Sequence, residues 1–414
     1  MLLLYVRRFL LQSTYAQLQV SPLSNPTAEQ EEKLVEVLYG SRWVYNYFYR
    51  NSIVMSVYDM QFALTEIKEQ HPWLYNYHST MLQMVIHKID AARKALSVLR
   101  RNGHKIGRLH YLKHEESNSF TYNQSGFKIE SNQLWLSKIG SIKIRLHRQP
   151  VNIKQVTVCR QVGKWYAVVA CKTIKLIFRF IDPRASIGID VGITKFSHDS
   201  NNRAVENPLF LTKMLKPLRK AHRRLSRRQI GSNNRQKAKH MLARLYAKIH
   251  NKRMNFLHKL SAEYASRYDI IFLERLRALN IVKNHSIARH VLDSGWRTFK
   301  RILEYKAKIV AEVEPYNTSI DCSRCGNNVS KTLAVRIHKC GRCGLSIDRD
   351  YNASLNIKQR GLTLLLPQGL REVTPVEILD ESVKQEEVTI VHGSSPRHSS
   401  IWGQEQRSAG FCRS

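Results

Sequence analysis

Four cysteines carry the most specific chemical signal in this chain. They form two pairs, Cys322-Ser-Arg-Cys325 and Cys340-Gly-Arg-Cys343, fourteen residues apart, and a glycine follows each pair. Two-residue gaps let each pair offer two thiolates to one ion, and the glycines permit tight turns, so the set predicts a tetrahedral Zn²⁺ site. Four sulfurs leave no open position for substrate, which makes the Zn²⁺ structural, and free thiols imply a reducing compartment. Cys159 and Cys171 sit in alternating apolar stretches and read as small core residues, while Cys412 lies in a polar tail.

A second constellation uses hard oxygens. Ser186-Ile-Gly-Ile-Asp190 and Tyr268-Asp-Ile-Ile-Phe-Leu-Glu274 are short apolar runs that each end on a carboxylate. As neighbouring strands of one sheet they would set Asp190 and Glu274 side by side at one edge. Asp348-Arg-Asp350-Tyr-Asn-Ala-Ser opens a helix. An acid from that helix start, packed across the edge, completes a cage for Mg²⁺ or Mn²⁺. Two such ions about 4 Å apart can activate water and stabilise the leaving oxygen of a phosphodiester. Singly, each acid has a plainer role: a turn for Asp190, a solvated strand end for Glu274, support of a first helical turn for Asp350.

The elements that must position these residues follow from periodicity. Tyr15 to Val20 reads as a strand, and Thr27-Ala-Glu-Gln30 as a capping box opening a helix through Leu34, Val35 and Leu38. From Tyr39 to about Leu99 the chain is helix-compatible, and Trp43, Tyr45, Tyr47, Phe48 and Tyr49 read as core rather than as stacking platforms for bases. From Ile106 to Phe180 the period switches to two: Ile142, Ile144 and Leu146 alternate with Lys143, Arg145 and His147, and Gly163-Lys164 links two strands as a hairpin. These short strands with basic outward positions predict a small barrel able to hold nucleic acid. After Asp182-Pro183 come the first carboxylate strand and a meander over 191–207. Two helices follow, with apolar spacing at Leu215, Leu218, Leu225 and at Leu242, Leu245, Ile249, Phe256, Leu260, separated by Gly231-Ser-Asn-Asn234. They predict an antiparallel hairpin. The second carboxylate strand, a helix over about 294–308 and a strand over 309–313 then lead to the cysteines. Meander, helix, strand and further helix–strand elements give the order of an RNase H-like core.

Charge selects the partner. The 414 residues hold 67 Lys+Arg against 32 Asp+Glu, a net +35. The excess is uneven: residues 361–414 hold 5 basic and 7 acidic residues, whereas residues 211–260 hold 16 Lys+Arg and no acid. A face without compensating acid repels itself unless an anion covers it, so the helical hairpin is a candidate nucleic-acid surface, with Arg219, Lys220, Arg223, Arg224, Arg227 and Arg228 as candidate contacts. A hydrophobic share of 43% argues against global disorder. No apolar run reaches the ~18 residues of a membrane span. The opening MLLLYVRRFLL is too short for a secretory signal and reads as an extension from an upstream start codon or a weak targeting segment.

Several stretches together resemble the TnpB family, the OrfB-type proteins of bacterial insertion sequences related to compact type V CRISPR effectors. They are GIDVGITKF (188–196), IIFLERLRALN (270–280), TSIDCSRCG (318–326) and HKCGRCGLSIDRDYNASLNI (338–357), with RWVYNYFYRN (42–51), SFTYNQSGFKI (119–129) and LSKIGSIKIRLHR (136–148) upstream. The resemblance covers about residues 15–360. It implies an RNA-guided DNA endonuclease of α+β multidomain fold, with a β-barrel wedge domain carrying a helical insert and an RNase H-like (RuvC) nuclease domain with an inserted zinc ribbon.

By position it implies Asp190, Glu274 and Asp350 as the catalytic, Mg²⁺-binding acids. Asp350 is chosen over Asp348 because the family's acid directly precedes the Tyr-Asn-Ala helix start. Cys322, Cys325, Cys340 and Cys343 match the family's zinc site. The partners implied are a guide RNA from the transposon end and a double-stranded DNA target, in the bacterial cytoplasm at the nucleoid, with no membrane. The basic hairpin would read the backbone of the guide–target duplex.

The organisation expected is an N-terminal segment with the first wedge strand (1–25), a recognition insert (26–104), the wedge barrel (105–182) and the nuclease core (183–316) with its hairpin (211–260). The knuckles (317–345), a last nuclease helix (346–360) and a disordered tail (361–414), of which only REVTPVE (371–377) looks family-like, complete it. Between Tyr305 and Val313 the chain is shorter than the family pattern, which is expected to shorten one sheet edge. Two alternatives remain open: a regulator of transposition that binds RNA and DNA without cutting, and a DNA-joining transposase, which would use a similar acid triad.

Overall fold

The structure is a computed structural model that describes residues 14–24, 26–50, 55–114, 116–146, 149–174, 181–276, 285–332 and 335–365. The expectations for the opening MLLLYVRRFLL, for REVTPVE, for Cys412 and for most of the 361–414 tail lie outside these residues. The described chain divides into two compact units, one ending at Lys175 and one beginning at Leu176.

The first unit opens with β1 (Thr14–Pro22) and three helices, α1 (Ala28–Phe48), α2 (Val57–Gln70) and α3 (Ser79–Arg101). The capping box at Thr27 forms: its hydroxyl accepts from the Gln30 N–H, and the Gln30 side chain accepts from the Thr27 N–H. Tyr45 and Phe48 are buried and Trp43 and Tyr49 pack against the same core, whereas Tyr47 is exposed. Four of the five rings therefore serve packing.

The strands that follow are β2 (Ser119–Asn123), β3 (Phe127–Glu130), β4 (Gln133–Leu136), β5 (Gly140–Lys143), β6 (Ile153–Gln161) and β7 (Lys164–Ile174). The β6–β7 hairpin turns on Val162 and Gly163, with φ of 49° and 78°, the left-handed pair that a two-residue turn matching strand twist requires. Ile142 and Ile144 are buried and Lys143 is exposed, as the alternation predicts.

The predicted barrel does not close among the described residues. The strands form two open sheets, β1-β7-β6-β2 and β3-β4-β5. The reason is local. β3, β4 and β5 span four residues each; left-handed Gln124 and Gly126 turn the chain into β3, and left-handed Ser131 and Lys138 reverse it between the three strands. So short a meander pairs with itself, and the isolated bridge Leu23–Ile144 is its link toward β1.

The second unit contains β8 (Ser186–Val191), β9 (Lys195–Asp199), β10 (Ala204–Glu206), α4 (Leu215–Ser226), α5 (Asn233–Arg267), β11 (Ile270–Glu274), α6 (His285–Ser294), α7 (Trp296–Lys306), β12 (Ile309–Val313), β13 (Ile337–Lys339), β14 (Ser346–Asp348) and α8 (Arg349–Leu365). Its main sheet has the order β10-β9-β8-β11-β12. β8, β11 and β12 run parallel, and β9 and β10 alternate in direction to complete a meander. Parallel neighbours need crossovers, and helices α4–α5 and α6–α7 fill them.

Period two sorts the side chains. Ile187, Ile189, Ile271 and Leu273 pack against Leu257, Leu260 and Tyr264 of α5 and Phe299 and Leu303 of α7. Ile270 and Phe272 turn the other way, onto Ile357 of α8. The expected shortening near Tyr305–Val313 does not occur: β12 pairs with β11 along its whole length, from Ile270–Ile309 to Glu274–Val313. Buried Ala307 ends α7 in extended conformation while its N–H still bonds the Leu303 carbonyl, so the turn into β12 needs no glycine.

Helices α4 and α5 form the predicted hairpin around Leu218, Ala221, Leu242 and Ile249, with Gly231 at φ 86° in the connection. With 35 residues, α5 is about 50 Å long. Its C-terminal half packs on the sheet and its N-terminal half holds α4.

Candidate functional site

The two carboxylate strands are direct neighbours. Ile189 lies beside Leu273 in the parallel β8–β11 register, so the next residues, Asp190 and Glu274, lie beside each other at the strand ends. Alternation turns both away from the α5–α7 core and toward the face that α8 covers. A Cβ on Gly188 would lie 2.3 Å from the Ser354 carbonyl oxygen and 2.6 Å from the Lys358 nitrogen, so only glycine lets the α8 backbone rest on β8. A Cβ on Gly361 would meet the Phe272 ring at 2.1 Å. These two close approaches seat α8, and its first turn carries Asp350 to the same edge.

Electrostatics register the convergence. Burial raises the Asp190 pKa well above the ordinary carboxylate value, and the negative charges of Glu274 and Asp350 raise it further; Arg349 and the Val191 N–H oppose them. Asp190 nevertheless keeps some accessible surface, so its dense surroundings do not seal it from an ion. Glu274 is also raised by burial, against the opposing Thr318 hydroxyl and Arg360. The Asp350 Oδ1 accepts from Arg349 Nε and Nη2, both at 3.2 Å.

Asp348 is occupied differently. Its Oδ1 accepts from the N–H groups of Asp350 (2.8 Å) and Tyr351 (3.3 Å), capping α8, and its Oδ2 accepts from Lys195 Nζ at 3.0 Å. Burial works against its ionisation, but the Lys195 bond and the two backbone donors outweigh it and hold the carboxyl below its usual range. The geometry thus separates a capping acid, Asp348, from an acid that charges the edge, Asp350.

The cysteines converge more tightly. Cys322 and Cys343 sulfurs lie 3.6 Å apart, as do those of Cys325 and Cys340, and all four lie within 4.8 Å of one another. Zn–S bonds of about 2.3 Å give tetrahedron edges near 3.8 Å, so this donor set fits Zn²⁺. Gly326 and Gly344, just past each pair, take φ of 71° and 73°, and their N–H groups bond back to the carbonyls of Cys322 and Cys340. N–H groups of Cys343 and Arg342 aimed at Cys340 pull its thiol down to about 6, whereas burial and the neighbouring cysteine sulfurs push Cys343 up to about 12, so without a metal the sulfurs share protons between them. Among the described residues no carboxylate trio is packed this closely; the acids form a more open set.

A polar seam joins the two sites. Thr318 donates its hydroxyl to Glu274 Oε1 at 2.8 Å. Asn356 of α8 donates to the carbonyls of Thr318 and Asp321, and Asn352 donates to Asp321 and accepts from the Ser323 N–H. Arg360 adds an ion pair to Asp321 at 2.7 Å. None of these positioning residues emerged from the sequence. Thr318, Asp321, Asn352 and Asn356 fall within the stretches that carry the family resemblance and Gly188 inside an apolar strand, but the sequence alone gives none of them a role.

Arg219, Lys220, Arg223, Arg224, Arg227 and Arg228 are all exposed on or just past α4, and none has an acidic partner among the described residues. No described helix is long and apolar enough to cross a membrane.

The acid-bearing sheet edge, the four-cysteine knuckle and the basic hairpin all lie in the second unit, and comparison with known proteins gives the chain a family. Residues 181–285 match the family model OrfB_IS605, described as "Probable transposase", and residues 296–357 match "Cas12f1-like, TNB domain". The chain is 31% identical over 358 residues to a Streptomyces pristinaespiralis protein named "Putative RNA-guided DNA endonuclease", covering 81% of this chain and 87% of that one. It is 29% identical to "Putative RNA-guided DNA endonuclease InsQ" of Escherichia coli (strain K12), covering 62% of this chain and 69% of that protein. "TnpB-like protein L79" of Acanthamoeba polyphaga mimivirus is 28% identical over 32% of this chain and 27% of its own. The chain belongs to the TnpB family of OrfB-type proteins.

Proposed function

We propose that this protein is a transposon-encoded, RNA-guided DNA endonuclease that hydrolyses phosphodiesters at the edge formed by Asp190, Glu274 and Asp350. The observation that carries the reading is their gathering from three separate elements at one sheet edge, where burial and the charges of Glu274 and Asp350 make ionisation of Asp190 costly and burial does the same for Glu274. A structural role alone gives no reason to keep such an arrangement, whereas a divalent cation relieves it. The names of its relatives and the order β10-β9-β8-β11-β12, meander first and parallel strands after, support an RNase H-like, RuvC-type nuclease core.

The donor set is all hard oxygen, which suits Mg²⁺ or Mn²⁺, and its openness suits two ions better than one enclosed ion. Bound there, the metal would activate water and stabilise the leaving oxygen. The protein's own part is to hold the acids: β8 and β11 fix Asp190 and Glu274 in register, and Asp348 caps the helix that presents Asp350. Cys322, Cys325, Cys340 and Cys343 would hold Zn²⁺ and keep the knuckle closed.

Arg219, Lys220, Arg223, Arg224, Arg227 and Arg228 would grip the phosphates of a duplex between a transposon-end guide RNA and its DNA target, with steeply salt-sensitive binding. Within this reading, residues 26–104 serve as recognition insert, 105–182 as wedge domain, 183–316 and 346–360 as nuclease and 317–345 as zinc ribbon, in a bacterial protein working at the nucleoid.

The test begins with sequencing RNA that copurifies with the protein, where transcripts of an element end are expected. The loaded protein is then assayed on matching DNA with Mg²⁺. Asp190→Ala should lower cleavage by about 10³-fold or more and leave the RNA bound. Random cellular RNA, or a wild type that never cuts matched DNA, would sink the reading.

A further inference from the structure

We infer that Thr318 is the positioning residue for Glu274, orienting its carboxylate for divalent-metal binding and tying the acid edge to the cysteine knuckle. The inference rests on the proposed metal role of the three acids. Glu274 closes β11 with a long side chain whose terminal carboxylate torsion is intrinsically broad, so strand register alone does not fix the plane of its oxygens. The Thr318 hydroxyl does, through its 2.8 Å bond to Oε1. A hydroxyl has one proton to give, and the other acceptor in reach, the Pro315 carbonyl, is 3.4 Å away, so the charged and nearer oxygen takes it.

Thr318 is itself held firmly. It is only 4% exposed, and its carbonyl accepts from Asn356 of α8, the helix that carries Asp350. Three residues on, the Asp321 carbonyl accepts from both Asn352 and Asn356, and the next residue is the metal-ligating Cys322. One short loop is thus bound to the helix of the third acid and to the side chain of the second acid, and runs directly into the first cysteine of the knuckle. Hydrogen bonds of this kind, made to a ligand rather than to the ion, set ligand orientation and basicity.

The experiment uses the full-length protein with its zinc retained and Mn²⁺ alone as probe, followed by calorimetry in wild type and in Glu274→Gln, Thr318→Val and Thr318→Ser. Glu274→Gln should weaken Mn²⁺ binding. Thr318→Val should weaken it by about 10- to 100-fold and Thr318→Ser, which restores the hydroxyl, should stay within about threefold of wild type. Cleavage should show the matching signature: in Thr318→Val the Mg²⁺ midpoint rises while the rate at saturating Mg²⁺ recovers, a split that general damage to the fold does not produce. Thr318→Val binding Mn²⁺ as tightly as wild type overturns the inference. So does a serine variant as weak as the valine one, because the methyl packing and not the hydroxyl would then matter. If Glu274→Gln binds like wild type, the metal reading of the acids fails first and takes this inference with it.

Discussion

The cysteine knuckle and the carboxylate edge lie in the same unit and answer opposite design problems. The knuckle is local: its four ligands come from 22 consecutive positions, turn on two left-handed glycines and leave all sulfurs within 4.8 Å of one another. The edge is assembled from β8, β11 and the start of α8, across 161 positions, and its acids stand further apart. A closed, soft-ligand set favours holding one ion permanently, whereas an open set of half-buried oxygens suits a hard cation that comes and goes. Short-range sequence can specify the first. Only a sheet can deliver the second.

Removing the knuckle's metal is the largest test of that contrast. Elemental analysis should find one zinc per wild-type chain and none in Cys322→Ser, whose residues 317–345 should open to protease and whose cleavage should be lost, because an unclosed knuckle releases the loop that holds Glu274. A zinc-free chain that still cuts would break the link between the two sites. Gly188→Ala probes the edge without touching the cysteines. Forcing a Cβ against the α8 backbone should cost about 1–3 kcal/mol in denaturant melts and suppress cleavage, with zinc content unchanged.

The smallest effect is one of sign. Raised folded-state values for Asp190 and Glu274 mean that their contribution to stability is fully present below the ordinary carboxylate values of 3.8 and 4.5 and is lost as pH rises through the raised ones. The divalent-free protein should therefore lose stability over that window, and Asp190→Asn should flatten the slope. The knuckle should behave oppositely, gaining zinc affinity as pH rises and its thiols ionise. Melts across pH 4–8 with and without Mg²⁺ separate the two, and a wild-type slope identical to that of Asp190→Asn would remove Asp190 from the account.

Much of this was legible residue by residue. The two apolar runs announced β8 and β11 because a parallel strand buried on both faces leaves little else in its sequence, and the charged residue ending each run marked where burial stops. The paired cysteines and the Thr27 capping box were readable because their partners lie within a few positions. The barrel was misjudged because period-two patterning predicts strands and not which strands pair, and the four-residue meander closes on itself. Gly188 and Thr318 each open a family-like stretch, but their roles were hidden for a different reason. The Ser354 carbonyl that excludes a side chain at 188 lies 166 positions downstream, and the carboxylate that gives Thr318 its purpose lies 44 positions upstream.

The order of the elements has a consequence in time. Chains leave the ribosome from the N-terminus, and folding follows emergence. The basic hairpin and both parallel carboxylate strands are available once residue 274 is out, but the third acid arrives only with α8, after both cysteine pairs. A nascent chain therefore presents its basic hairpin well before its acid edge is complete. Completion waits for a helix that docks over Gly188 and is stitched to the loop leading into the first cysteine pair. Synthesis itself delays the assembly of the acid edge until nearly the whole described chain exists.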